Sequence, residues 1–225
     1  VCDFRSQDVA LGGQGAPLVP IGDALLFSDY EACLNLGGFS NISYQHKAQR
    51  IAYDICPVNI VLNHYCQKIG LNYDAEGVIA RNGILNQRLL DDLNQLDYYQ
   101  KLPPKSLGLE WVQEQVFPLI DAAEREVPNI LHTFTIHAAN QIGKSLRNFQ
   151  SVLVTGGGAW NDFLMDYIQQ EAGYTIPQAD RQLIDYKEAL VFAFLGLLRL
   201  KNETNCLKSV TGASRDHSSG VIFTP

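Results

Sequence analysis

The spacing of apolar and polar positions changes several times along the 225 residues, and each change marks an element. Glu31 to Leu36 is a mostly apolar run that meets Gly37-Gly38 and resumes from Phe39 to Tyr44. After a polar turn at Gln45–Gln49, Arg50 to Ile55 alternates, so the three pieces predict an antiparallel meander. A glycine pair inside a strand pattern marks a kink or a place where another group approaches the backbone. Pro57 to Ile69 predicts a helix with proline in its first turn. From Asn72 to Lys105 the pattern is less regular, with a turn at Tyr73–Gly77, a helix over Ile84–Leu96 and a stop at Pro103-Pro104. Helices follow over Glu110–Glu126 and Asn129–Asn148, the second carrying Ile130, Phe134, His137, Ala138, Gln141 and Ile142 on neighbouring turns.

Ser151 to Thr155 reads as a buried strand, Gly156-Gly157-Gly158 as a turn and Phe163 to Glu171 as a helix. Tyr174–Ile176 is short enough for an edge strand, and Asp185–Leu200 is a helix of high apolar content with acidic residues favoured in its first turn by the helix dipole. Gly220–Phe223 can add a last strand. The order meander, helix, helical insertion at about 70–128, strand, helix, strand, helix predicts an α/β fold, with a mixed sheet and helices on both faces.

With 46% hydrophobic residues the chain can bury a sizeable core. Seventeen Lys+Arg against 24 Asp+Glu give a formal charge of −7 without basic runs, which argues against nucleic-acid or anionic-membrane partners. No apolar run reaches the length of a membrane span and no signal-peptide pattern opens the chain, so a cytoplasmic location is expected. Five widely spaced cysteines without a Cys-x-x-Cys pair indicate neither a disulfide framework nor a zinc site, and the five histidines do not fall at metal-ligand spacings.

Candidate chemistry begins in the first seventeen residues. Extended geometry over Asp3-Phe4-Arg5 would point Asp3 and Arg5 the same way, and a nearby guanidinium favours the ionised carboxylate that a general base requires. Gly12-Gly13-Gln14-Gly15 then lets the backbone approach a ligand before Pro17 stiffens the exit. A surface turn with an Asp–Arg pair explains the same residues. Asn35-Leu36-Gly37-Gly38 is either a bulged hairpin or a turn whose bare N–H groups meet phosphate oxygens. The triple glycine either is a tight strand-to-helix junction or aims helix N-terminal amides at an anion. Asp54 either caps the next helix or holds Mg²⁺. Ser106 is expected to cap the helix after it, with Glu110 near the first turn.

Asp3-Phe4-Arg5, Asp8 and Gly12-Gly13-Gln14-Gly15-Ala16-Pro17-Leu18-Val19-Pro20 together resemble the signature block of anhydro-N-acetylmuramic acid kinases, members of the two-lobed sugar-kinase and actin superfamily. Further matches lie at Gly37-Gly38, at Asp54, Pro57 and Asn59, at Gly156-Gly157-Gly158 with Asn161, and at Glu188-Ala189. The sequence departs from the family pattern at Ile55, Cys56, Val58, Leu107 and Leu109. The resemblance implies an actin-like, ribonuclease H-like ATPase lobe using ATP and Mg²⁺ on a small amino sugar. It implies Asp3 as the base that activates water, Arg5 beside it, and Glu188, Gln14 and Asn59 on the sugar. Gly37, Gly38, Gly156, Gly157, Gly158 and Asn161 are implied on the nucleotide, and Asp54 on the metal.

By the same resemblance, residues 1–30 would be a catalytic loop linking from an N-terminal lobe, and 31–225 a C-terminal lobe. The chain starts at Val1, directly on the signature block, so the first lobe is expected to be missing, leaving this piece inactive alone. A homodimer and a role in cell-wall recycling are also implied. Two alternatives stay open: another sugar kinase or actin-like ATPase of the superfamily, and a non-catalytic nucleotide-binding protein.

Overall fold

The computed structural model describes residues 1–223. Its one sheet has the order β3-β2-β1-β4, from β1 (Ala32–Leu36), β2 (Phe39–His46), β3 (Gln49–Pro57) and β4 (Val152–Thr155). The first three strands form the expected antiparallel meander, and β4 pairs with β1 in parallel. The helices are, in chain order, α1 (Ser6–Ala10), α2 (Pro20–Leu26), α3 (Asn59–Gln67), α4 (Val78–Arg81), α5 (Gln87–Asn94), α6 (Leu109–Trp111), α7 (Phe117–Ala123), α8 (Val127–Leu146), α9 (Asp162–Ala172), α10 (Arg181–Leu200) and α11 (Lys208–Thr211).

Strand alternation sorts the sheet into two faces. Ala32, Leu34 and Leu36 of β1, with Ile42, Val152 and Val154, enter the main core beside Leu62 and Tyr65 of α3, Phe134 and Ile142 of α8 and Leu164 and Ile168 of α9. The intervening positions, among them Cys33, Asn35, Asn41, Ser43 and Thr155, line a cleft on the opposite face. At Ser40/Asn41 the register slips, so that Ser40 opposes Cys56 while Asn41 opposes Asp54. Ile55 is the extra residue of this bulge, and it lets Ile55 and Cys56 both join the core.

On the cleft face lies a second apolar cluster, in which Leu18 and Ile21 around α2 meet Val191, Leu195 and Leu198 of α10. The buried stripe of α10 runs Ile184, Lys187, Val191, Leu195, Leu198, so a lysine occupies a core position. Lys187 Nζ lies 2.6 Å from Asp23 Oδ1 as an ion pair, with the two side chains 6% and 5% exposed. Asp23 also accepts from the Ser43 hydroxyl of β2, and Arg50 of β3 donates to Ser43 Oγ at 2.8 Å and to its carbonyl at 3.1 Å. One buried polar chain therefore links α10, α2, β2 and β3. Burial pushes the neighbouring Cys33 thiol up to about 11, with Asp23 adding to the effect, so this cleft cysteine stays a protonated thiol.

Several expected elements differ, each for a local reason. The stretch Glu110–Glu126 is not one α-helix: it widens into a π turn over Val112–Val116 and ends at Ala123. Pro118 has no N–H for the carbonyl four residues back, and the widening sits just before it. Tyr174–Ile176 is not a strand; Ile176 N–H donates to Gln169 Oε1 at 2.8 Å, so a side chain replaces the ladder partner. Helix α10 starts four residues before the expected Asp185 because Asp180 caps it, accepting from Gln182 N–H at 2.8 Å. Asp185 thus lies in the second turn and receives the Trp160 indole N–H at 3.2 Å. Ser106 caps nothing: Gly108 precedes α6, without a side-chain cap, and Ser106 lines the cleft. The last segment contributes only one bridge, between Val221 and Cys2.

Two stability experiments follow from the seating of α2 and α10. A Cβ on Gly22 would come within 2.6 Å of Val191 Cγ1. Gly22→Ala is therefore expected to destabilise by about 1–3 kcal/mol in urea unfolding, and Val191→Ala added to it to recover part of that loss. Lys187→Met should cost about 3–5 kcal/mol by leaving Asp23 buried and unpaired, whereas adding Asp23→Leu should restore much of the stability.

Candidate active site

The cleft has a volume of about 1030 Å³. Its floor is set by strand register: Thr155 pairs with Asn35, Asn35 with Asn41, and Asn41 with Asp54, which carries four polar residues across all four strands on one face. All four line the cleft. Asp54 does not cap α3; its Oδ2 accepts Leu107 N–H at 2.9 Å, and its backbone N–H donates to Lys105 O at 3.2 Å. Burial raises the Asp54 carboxyl above the usual range, and the Leu107 hydrogen bond opposes this in part. Lys105, held 4.6 Å over the Tyr98 ring, is pushed down by burial. The floor offers one carboxylate, two amides and a hydroxyl, a hard oxygen donor set that fits Mg²⁺.

The glycines do different jobs. Gly156 has φ +86°, and a Cβ there would meet Asn35 Oδ1 at 2.5 Å and the Leu36 backbone at 2.9 Å. A Cβ on Gly158 would meet Leu36 Cβ at 2.7 Å, so this buried glycine lets the turn close onto β1 and does not line the cleft. Gly157 is exposed, a Cβ there would meet only Asn59 Nδ2 at an ordinary 3.9 Å, and it lines the cleft with Gly156. Asn161 lies outside the cleft: it is buried as the cap of α9, accepting from Leu164 N–H at 3.0 Å. Gly37 lines the cleft and Gly38 does not. Both turn carbonyls inward, Gly38 O accepting from Val58 at 2.8 Å and from Ile60 at 3.2 Å, and Gly37 O from Asn59 at 3.3 Å. These bonds satisfy amides at the start of α3 that have no partner in the helix. The Asn59 side chain, also outside the cleft, donates to Leu36 O at 3.2 Å and braces the same junction.

The opening block is not extended through Arg5. Asp3 has φ +51°, and Arg5 already has helical angles as the cap residue of α1. Asp3 and Arg5 form no ion pair among the described residues; Asp3 Oδ1 instead accepts Ser6 N–H at 3.1 Å. Hydrogen bonds from Ser6, its side chain foremost, hold the Asp3 carboxyl below the usual range, so it is ionised at neutral pH. Asp3 is exposed and outside the cleft lining, while Arg5 and Gln14 belong to it. Glu188, exposed on α10 beside the buried Lys187, reaches the cleft from the facing wall.

Arg5, Gln14, Gly37, Asp54, Gly156, Gly157 and Glu188 are thus gathered around one cleft, whereas Asp3, Gly38, Asn59, Gly158 and Asn161 lie outside its lining. The cleft adds residues that the sequence reading did not select: Asn35, Asn41, Thr155, Asp23, Ser43 and Lys187. Signals for some were present. Asn35 interrupts the apolar strand Ala32–Leu36, and Lys187 interrupts an apolar helical stripe, positions where a polar group calls for a partner.

The family model for anhydro-N-acetylmuramic acid kinase matches residues 1–225. A protein of that name from Vibrio vulnificus strain CMCP6 is 35% identical over 237 residues, covering 99% of this chain and 64% of the relative. Relatives of the same name from Saccharophagus degradans and Vibrio cholerae are 36% and 38% identical, with 64% and 65% of their lengths covered. This chain therefore spans slightly less than two thirds of the length of these relatives. The complete match to the family model, with these identities, places the chain in the anhydro-N-acetylmuramic acid kinase family.

Proposed function

We propose that this chain forms part of an ATP-dependent kinase that hydrolytically opens 1,6-anhydro-N-acetylmuramic acid and phosphorylates it to N-acetylmuramic acid 6-phosphate. The observation that supports the reading most is the convergence of Arg5, Gln14, Asp54, Gly156, Gly157 and Glu188 on one cleft, in a chain of this family. Asp3 takes a proton from water as the water oxygen bonds to the anomeric carbon. The bond from that carbon to O6 breaks, and O6 accepts the γ-phosphoryl group as ADP leaves. Arg5 supplies positive charge at the sugar end, and Gln14 and Glu188 orient the sugar. Asn59 supports sugar binding through the junction it braces. Gly37, Gly156 and Gly157 bring backbone close to the nucleotide, while Gly38, Gly158 and Asn161 shape the turns that hold them, so that positioning and electrostatics carry the phosphoryl transfer. Asp54 holds Mg²⁺, which neutralises phosphate charge when bound.

On this reading, further protein completes the site around Asp3, which is exposed in this chain. The relatives' additional length provides material for an N-terminal lobe that closes over residues 1–30, and on this reading the chain alone is inactive. A homodimer, a cytoplasmic location and a role in cell-wall recycling belong to the same proposal.

The test is product analysis with the complete protein, given ATP and either the anhydro sugar, ordinary N-acetylmuramic acid or no sugar. Sugar 6-phosphate should form from the anhydro compound, and Asp3→Asn should lower kcat by about 10²–10⁴-fold. Turnover of Asp3→Asn at the wild-type rate would overturn the assignment, and ADP release that needs no sugar would favour an ATPase.

A pH experiment tests Asp54. Because burial raises its pKa, the carboxylate gains its proton at a higher pH than a surface aspartate, and Mg²⁺-dependent nucleotide binding should weaken correspondingly early as pH falls. Linkage runs the opposite way for the fold. A carboxyl whose folded pKa is raised contributes stability while protonated and loses it as pH rises through the folded value. Asp54→Asn should therefore leave thermal stability at neutral pH unchanged or higher, while removing the pH-dependent part of Mg²⁺-nucleotide affinity in calorimetric titrations.

A further inference from the structure

Behind the signature block, three side chains from distant parts of the chain meet: Asp8 on α1, Cys206 beyond α10 and His217 near the end. One potential ligand atom from each lies within 4.8 Å of the others, and all three residues are buried. Asp8 is fully buried, with Oδ1 accepting the Thr211 hydroxyl at 2.7 Å and Oδ2 accepting Gly15 N–H at 2.8 Å. Both donors are neutral. The basic group facing Asp8 is His217, whose Nε2 lies 3.6 Å from Oδ1.

The histidine tautomer is fixed from its other side. His217 Nδ1 lies 3.1 Å from the Arg215 carbonyl, which can only accept, so Nδ1 carries a hydrogen. In the neutral ring, Nε2 then directs a lone pair towards Asp8. His217 is 7% exposed, and Nε2 has no hydrogen-bond partner among the described residues. Two lone pairs facing each other in a dry space call for a positive charge between them, either a proton on Nε2 or a metal ion.

Cys206 favours the metal. Its sulfur is buried in the same space, and the ligand atoms of Asp8, Cys206 and His217 all lie within 4.8 Å of one another. With a metal it becomes a third ligand. Thiolate, imidazole and carboxylate together are a donor set for Zn²⁺, and an Nδ1–H held by a carbonyl is the support that metal-binding histidines use. Zinc bonded to nitrogen and oxygen at tetrahedral angles sets those atoms roughly 3.3–3.5 Å apart, close to the 3.6 Å between Nε2 and Oδ1.

We propose that Asp8, Cys206 and His217 form a structural binding site for a divalent transition metal, with Zn²⁺ the best match to the donors. Binding displaces the Cys206 proton to solvent, and two negative ligands balance the charge of the ion. Through the Asp8–Gly15 hydrogen bond, the metal would pin the glycine loop that carries Gln14 into the cleft.

The chain is purified, stripped with chelator, incubated with one equivalent of Zn²⁺ or Co²⁺ and desalted. About one metal ion per chain is expected, together with a thiolate-to-cobalt charge-transfer band in the Co²⁺ form. Zn²⁺ at saturating concentration should raise Tm by on the order of 5–10 °C. Cys206→Ser should remove the band, and His217→Gln should remove or sharply weaken it, with both variants losing the Tm response. Wild-type protein that retains less than about a tenth of an equivalent and develops no charge-transfer band would overturn the proposal. Because that reading uses the wild-type chain, a variant that fails to fold does not protect the proposal.

Discussion

The buried ion pair between Lys187 and Asp23 is the constraint on which the cleft depends. A lysine in the apolar stripe of α10 is unfavourable unless its charge is met, and Asp23 meets it from α2 while remaining tied through Ser43 and Arg50 to the sheet. The pairing fixes how α10 faces the strands. Since Glu188 follows Lys187 directly, the same contact sets the height at which Glu188 stands over the cleft. A leucine at position 187 could bury as much surface, but it would leave the rotation of the helix to packing alone.

Below that wall, the polar row Thr155–Asn35–Asn41–Asp54 stands where apolar side chains would add stability. Four polar side chains on one face of a sheet forgo hydrophobic burial, and Asp54 carries an ionisation cost that burial imposes. The opposite face compensates: Ala32, Leu34, Leu36 and Val154 pack into the core with α3, α8 and α9. The Ile55 bulge belongs to the same division, because it shifts Ile55 and Cys56 into the core while Asp54 keeps its place opposite Asn41. The departures from the family pattern at Ile55, Cys56 and Val58 are all buried, so these side chains act as packing groups in this protein.

Periodicity made the meander and the main helices legible, since strand alternation and helical stripes are imposed by burial on one face. It failed where a few polar contacts decide a boundary. Asp180 starts α10 early, Gln169 substitutes for a strand partner at Ile176, and Gly108 leads into α6 while Ser106 goes to the cleft. Glycine-rich turns were found from sequence, but their division of labour was not. Gly157 is exposed and uncrowded, Gly156 and Gly158 admit the Leu36 backbone and side chain, and Gly38 receives amides from the start of α3.

The residues by themselves determined the α/β class, the antiparallel meander, the positions of the glycine turns and the family block at the start of the chain, because each depends on local patterns of a few neighbours. Only the tertiary structure decided which of those residues share a cleft, that Asp3 is exposed outside its lining, and that Lys187 is buried against Asp23. It also brought Asp8 to Cys206 and His217, a meeting that no spacing rule anticipates. Local sequence fixes which face a side chain takes on its own element, whereas its neighbours from other elements depend on how the elements dock.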